Sequence, residues 1–135
     1  MTDASPGLPP PPLSPFTTVW RWHVTMFASI AHRVTGVGLY LGALIVAAWA
    51  VSLASGPAAY AQFKGLMGSP LGKFVLFGMS LSFFYHLASG VRHLVWDTGH
   101  GFDLRSANFS AVFVIAFSIT AAIGLWVIAA IDGLL

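Results

Sequence analysis

The spacing of charged residues constrains this chain more than any motif does. After Arg33 the next Lys, Arg, Asp or Glu is Lys64, after Lys73 it is Arg92, and after Arg105 it is Asp132. Residues 34–54 and 109–131 within the first and third gaps are almost wholly apolar, and after Lys73 the apolar character carries on past Arg92 to Trp96. A helix rises 1.5 Å per residue, so about 20 apolar residues cross the hydrocarbon core of a bilayer. Only helices and closed barrels satisfy their backbones there, and these runs lack the alternation of barrel strands. The expected fold is therefore all-α: an integral membrane bundle of three transmembrane helices, with spans at about 30–54, 74–97 and 109–131. A very hydrophobic soluble bundle is the competing reading. Composition argues against it: the chain is 57% hydrophobic and 7% charged, whereas soluble domains carry roughly 25% charged residues.

The remaining segments are short. Ser55, Gly56 and Pro57 close the first span. Residues 58–72 contain Gly65, Gly68, Ser69 and Pro70 and read as a surface loop with at most a brief helix. Residues 98–108 join the second and third spans. The first sixteen residues hold all but two of the eight prolines. They divide the chain into an extended Pro-rich arm (1–16) and a three-helix anchor domain (17–135). The arm has neither the apolar core of a signal peptide nor an Arg-rich presequence, so a bacterial inner membrane is the expected location. Arg21, Arg33, Arg92 and Arg105 fall on one side of the bundle, and Lys64 and Lys73 on the other. That asymmetry predicts a cytoplasmic N-terminus and a periplasmic C-terminus. The net charge of +2 is too small for a nucleic-acid footprint. With no cysteine, thiolate catalysis and Cys-ligated metal sites are excluded. No dinucleotide-binding glycine pattern, P-loop or metalloprotease motif is present.

Ionisable groups at membrane depth are costly, so function is sought there. The first cluster is Ser29-Ile30-Ala31-His32-Arg33-Val34-Thr35-Gly36. On a helix Ser29, His32 and Arg33 project to one broad face. A hydroxyl, an imidazole and a fixed cation there can bind a carbonyl, carboxylate or phosphate. The plainer reading has Arg33 snorkelling to headgroups, His32 at the interface and Ser29 helping to cap the helix.

The second cluster runs from His86 to Asp97. His86, Gly90 and His93 lie at i, i+4 and i+7 and share a face, which Ser82 extends. A histidine framed by small residues suits a flat macrocycle lying on a helix, with the imidazole on its metal. Close helix packing uses small residues at the same spacing, and both readings stand on the residues alone. Gly38 and Gly42 form a further small-residue pair that reads as packing. His86 lies about 10 Å deeper than His93 at the helical rise, so one level carries the polar groups and a lone histidine lies further in. Asp97, four residues after His93, is placed to orient it or to make a helix-end ion pair.

Together, Leu13-Ser14-Pro15, Trp20-Arg21-Trp22 and the run Ser29-Ile30-x-His32-Arg33-Val34-Thr35-Gly36 resemble the N-terminal signature of the cytochrome b anchor subunit of succinate dehydrogenase. The run from His86, with His-x3-Gly-x-Arg-His, resembles its second signature. Phe16 departs from a histidine common after the Leu-Ser-Pro. The resemblance covers roughly residues 13–105. It implies a subunit of a four-protein enzyme, with no complete active site in this chain alone. A flavoprotein subunit oxidises succinate, an iron–sulfur subunit relays electrons, and two membrane anchors form the site that reduces ubiquinone. It further implies quinone contacts at Ser29 and Arg33, and His86 as an axial ligand of a haem b shared with the second anchor. His32, Arg33 and His93 would lie near the haem propionates. His23 receives no role. A quinol:fumarate reductase anchor and a non-redox packing subunit are the alternative readings.

Overall fold

The computed structural model describes residues 19–133. It contains four helices, α1 (Val24–Ala54), α2 (Pro57–Gly68), α3 (Pro70–Asp97) and α4 (Leu104–Ile131), and no strand among the described residues. Three of them, α1, α3 and α4, are long and apolar enough to cross a membrane. The Pro-rich arm lies outside the described residues.

Each boundary has a local cause. The first helix begins earlier than its apolar run, at Val24, because His23 caps it: the ring Nδ1 accepts from the Thr25 N–H at 3.4 Å and lies 2.8 Å from the Thr25 hydroxyl. Ser29 is thus inside the helix and is not its cap. At the far end Gly56, with φ of 102°, breaks the chain between α1 and α2, a conformation open to glycine and strained for other residues. Pro57 then starts α2 where its missing N–H costs nothing.

The segment expected to be a surface loop with at most a brief helix is mostly a helix of 12 residues. Its glycines signal a break, but each costs only about 1 kcal/mol in a helix. Contacts of α2 with both α1 and α3 outweigh that cost. Ser69 closes α2 and opens α3, its hydroxyl donating to the Leu66 carbonyl at 2.7 Å and accepting from the Gly72 N–H at 3.1 Å. Any Cβ at Gly72 would run into the carbonyl oxygens of Leu66 and Met67, so this corner requires glycine. Asp103 caps α4 through its carboxylate, which accepts from the Ser106 N–H at 2.9 Å.

The core lies along the α3–α4 seam. Ala111, Val114, Ser118 and Ala122 recur every three or four residues on α4 and are all buried, a small-residue stripe that lets the helices approach closely. Trp126 ties the far end of the seam, donating from its indole N–H to the Ser80 hydroxyl at 3.2 Å. α1 meets α3 through glycines: a Cβ at Gly38 would lie 3.0 Å from the Ser82 Oγ, and one at Gly42 would lie 2.9 Å from the Met79 Cε. The Gly38–Gly42 pair therefore serves packing, as its spacing suggests. Large side chains such as Val34, Leu41, Phe74, Phe109 and Ile131 point outward and are exposed. So much apolar surface is compatible with lipid or a partner subunit and not with water.

Candidate functional site

One turn of α1 and two turns of α3 bring three histidines together. The His32 and His86 rings stack, with centroids 4.0 Å apart and planes 10° from parallel. His93 lies on the other side, its ring centroid 5.1 Å from that of His32. The antiparallel run of α1 against α3 explains the meeting. Gly36 lies beside His86, Gly38 beside Ser82 and Gly42 beside Met79, so the start of α1 passes the end of α3. His86 is therefore not the isolated deep histidine its sequence position suggests, because His32 bridges the levels of His86 and His93.

Each ring is held differently. His86 is half-buried, with its Nδ1 3.4 Å from the Thr35 Oγ1. A Cβ at Gly36 would lie 3.2 Å from the His86 Cε1, so the glycine gives the imidazole its room. The His93 Nδ1 is 2.7 Å from the Ser89 carbonyl oxygen. A carbonyl only accepts, so this nitrogen carries the proton. The orienting partner of the His93 Nδ1 is thus a backbone carbonyl one turn back, and not Asp97, whose spacing allows that role or a helix-end ion pair. The Nδ1 of His32 is buried and has no hydrogen-bond partner. A buried polar atom left in this state costs about 1–3 kcal/mol.

A Cβ at Gly90, between His86 and His93 on the same face of α3, would meet nothing within 4 Å. The stripe of His86, Gly90 and His93 thus borders an open notch. The stacked rings offer one another their faces and not converging lone pairs. Among the described residues no group of three such side chains is arranged to hold a metal ion directly. Ser29 and Arg33 are exposed on α1 beside the cluster. Ala28, which precedes Ser29, is buried and its carbonyl accepts from the Tyr85 hydroxyl at 2.9 Å.

Several residues escaped the sequence reading. Arg92, counted there as a topology signal, is buried at 7% exposure. Its Nε donates to the Ser110 hydroxyl at 2.9 Å and a terminal nitrogen donates to the Ala107 carbonyl at 3.0 Å. Its guanidinium also lies over the Trp96 ring at 4.0 Å. Arg92 therefore fastens α3 to α4. Tyr85, Ser89 and Arg92 share the spacing of His86, Gly90 and His93, one residue earlier. That parallel was the available signal, though spacing alone does not say which stripe is covered.

Comparison with known proteins identifies the family. The model of the family described as succinate dehydrogenase/fumarate reductase transmembrane subunit matches residues 8–125. The chain is 35% identical over 116 residues to the succinate dehydrogenase cytochrome b556 subunit of Rickettsia felis, covering 86% of this chain and 90% of that protein. To the protein of that name from Paracoccus denitrificans it is 35% identical over 112 residues, covering 83% and 86%. To the mitochondrial succinate dehydrogenase cytochrome b560 subunit of Sus scrofa it is 34% identical over 116 residues, covering 84% and 69%. With three membrane-length helices, paired signatures brought together in space and a family match across most of its length, the chain belongs to the succinate dehydrogenase/fumarate reductase transmembrane subunits.

Proposed function

We propose that this multi-pass membrane anchor holds haem b together with a second anchor subunit and forms part of the ubiquinone-reducing site of a succinate dehydrogenase. The observation that carries the reading is the histidine cluster. Two helices converge on three imidazoles beside an open notch, and the Nδ1 of His32 is buried without a partner. The residues fit a haem. His86 would ligate the iron, the notch at Gly90 leaves room for a flat ring, and His32, Arg33 and His93 would face the propionates. Bound there, haem b supplies one-electron redox chemistry. The relatives' names, cytochrome b556 and b560, support a haem of this type. Imidazoles stacked face to face do not aim their lone pairs at one point, so a second histidine for the haem would come from the sister anchor.

Quinone reduction takes up two electrons and two protons. Ser29 and Arg33 are exposed one helical turn apart, and both donate hydrogen bonds of the kind that stabilise negative charge developing on a carbonyl oxygen. Arg33 stays charged and cannot deliver a proton, whereas the imidazole of the adjacent His32 is a group able to carry one. The electrons come from an iron–sulfur subunit and ultimately from the flavoprotein subunit that oxidises succinate. The distribution of Arg and Lys supports docking of those subunits at the cytoplasmic face of a bacterial inner membrane, with the C-terminus periplasmic. The succinate dehydrogenase names of the relatives favour succinate oxidation as the working direction. The test is a reduced-minus-oxidised visible spectrum of the purified complex. Low-spin haem b is expected in the parent, a lost or shifted spectrum in His86→Ala, and a lesser change in His93→Ala. A parental spectrum in His86→Ala overturns the ligand assignment.

A further inference from the structure

Three residues on one turn of α1 grip the His86 imidazole, each in a different way. His32 covers its face at 4.0 Å. Gly36 leaves clearance at its Cε1, where a Cβ would lie 3.2 Å away. Thr35 meets its Nδ1 at 3.4 Å. The spacing i, i+3, i+4 puts all three on one side of a helix.

The Thr35 contact has a direction. A hydroxyl has one proton to give. The Thr35 hydroxyl lies 2.8 Å from the Ala31 carbonyl oxygen and 3.0 Å from the His32 carbonyl oxygen, both of which only accept. Its proton is committed to the backbone, so toward His86 the Thr35 oxygen is an acceptor. The Nδ1 of His86 must then carry hydrogen, which leaves the lone pair on Nε2. This is the tautomer that an Nε2-ligating histidine requires. Ligating histidines commonly give their other N–H to an acceptor that fixes the ring and raises its basicity.

We propose that Thr35 is a positioning residue for the haem: it accepts a hydrogen bond from the His86 Nδ1–H, selects the Nε2 lone pair for iron and makes that imidazole a stronger donor. The proposal rests on the reading of His86 as an iron ligand. A more basic imidazole favours ferric over ferrous iron, so the hydroxyl holds the haem potential down.

The experiment uses the intact four-subunit complex, with Thr35→Val, which keeps the branched shape without the hydroxyl, and Thr35→Ser, which keeps the hydroxyl. Redox titration of the haem and its rate of loss to a haem-scavenging protein are measured in each. In Thr35→Val the midpoint potential is expected to rise and haem affinity to fall about 10–100-fold. Thr35→Ser should retain parental values for both. Parental values in Thr35→Val, or equal shifts in Val and Ser, overturn the proposal, the second by showing that shape and not the hydroxyl matters. Thr35→Ala takes the place of Thr35→Val under the same criteria if the valine complex does not assemble. His86→Ala separates the two levels of inference. If its spectrum is parental, the ligand assignment fails. If its spectrum is lost while Thr35→Val stays parental, only the role of Thr35 fails.

Discussion

Two neighbouring stripes of α3 have opposite fates. Tyr85, Ser89 and Arg92 are buried, with exposures of 6%, 1% and 7%. Each stripe member has a polar partner within the chain, on α1, α3 itself or α4. One residue later, His86, Gly90 and His93 border a notch that no other part of the described chain fills. A helix advances 100° per residue, so the two stripes are adjacent on the same cylinder. The first is a completed interface within the chain, and the second meets α1 at His86 and leaves open space at Gly90. The difference teaches that stability and function are separated around this helix and not along it. Changes in one stripe should therefore damage assembly, and changes in the other should damage haem and quinone chemistry.

Arg92 offers the hardest test of that separation. Arg92→Leu removes two hydrogen bonds from a charged group, each worth about 1.5–3 kcal/mol, and the stacking on Trp96. The thermal stability and yield of the complex are expected to fall further than in substitutions at Gly36, Ser29 or Asp103. The molecules that do assemble should keep a parental haem spectrum. Arg92→Lys should rescue little, because an ammonium lacks the planar fork that reaches Ser110 and Ala107 together. A lost spectrum at parental stability would merge the two stripes into one site.

Gly36 probes the open stripe from the other helix. Gly36→Ala puts a Cβ at 3.2 Å from the His86 Cε1, so the ring must give by a few tenths of an ångström. Overpacking of this kind costs about 1–3 kcal/mol. Here it should appear as weaker haem retention with normal assembly of the subunits. Gly90→Ala, whose Cβ meets nothing in the chain, should leave subunit assembly unchanged. If it weakens haem retention as Gly36→Ala does, the notch is filled by the haem itself, and the comparison is sharpened.

A smaller effect is expected at Ser29. Its exposed hydroxyl can give one neutral hydrogen bond, worth about 0.5–1.5 kcal/mol, or up to roughly tenfold in rate if it is made mainly in the transition state. In Ser29→Ala membranes, electron transfer from succinate to an artificial dye that accepts upstream should persist, while quinone reduction falls. Equal loss in both assays would assign Ser29 to assembly.

The three spans were legible because lipid permits so few charges that the gaps between Lys, Arg and Asp outline them directly. α2 was not, since Gly65 and Gly68 signal a break and only contact with α1 and α3 overrides them. The stripe of His86, Gly90 and His93 was legible by helical period, as was the grouping of Ser29, His32 and Arg33. The meeting of His32 with His86 depends on the register of two antiparallel helices, which no local pattern encodes. The partner of His93 is the Ser89 backbone carbonyl, and a backbone acceptor leaves no trace in residue identity. The capping role of His23 was hidden for a related reason: the helix starts ahead of the apolar run that announced it.

Asp103 carries the smallest effect and lies outside both stripes, at the start of α4. The Ser106 hydroxyl, followed by the Ser106 backbone N–H, holds its carboxyl below the ordinary carboxylate range. A group whose pKa is lower in the folded protein stabilises the fold above its unfolded pKa, near 3.9 for Asp, and loses that contribution as pH falls through the folded value. Asp103→Asn keeps an oxygen able to accept from the Ser106 N–H but gives up the charge, which at a helix N-terminus is favourable. The parent complex should therefore melt slightly above Asp103→Asn at neutral pH, with the gap closing as pH drops below about 4. Exposure to solvent keeps the gap small, and added salt should narrow it further. Because Asp103 touches neither stripe, the haem spectrum and quinone reduction should be parental at every pH where the complex is folded. A change in either would show that the α4 cap communicates with the histidine cluster, and the separation around α3 would then be incomplete.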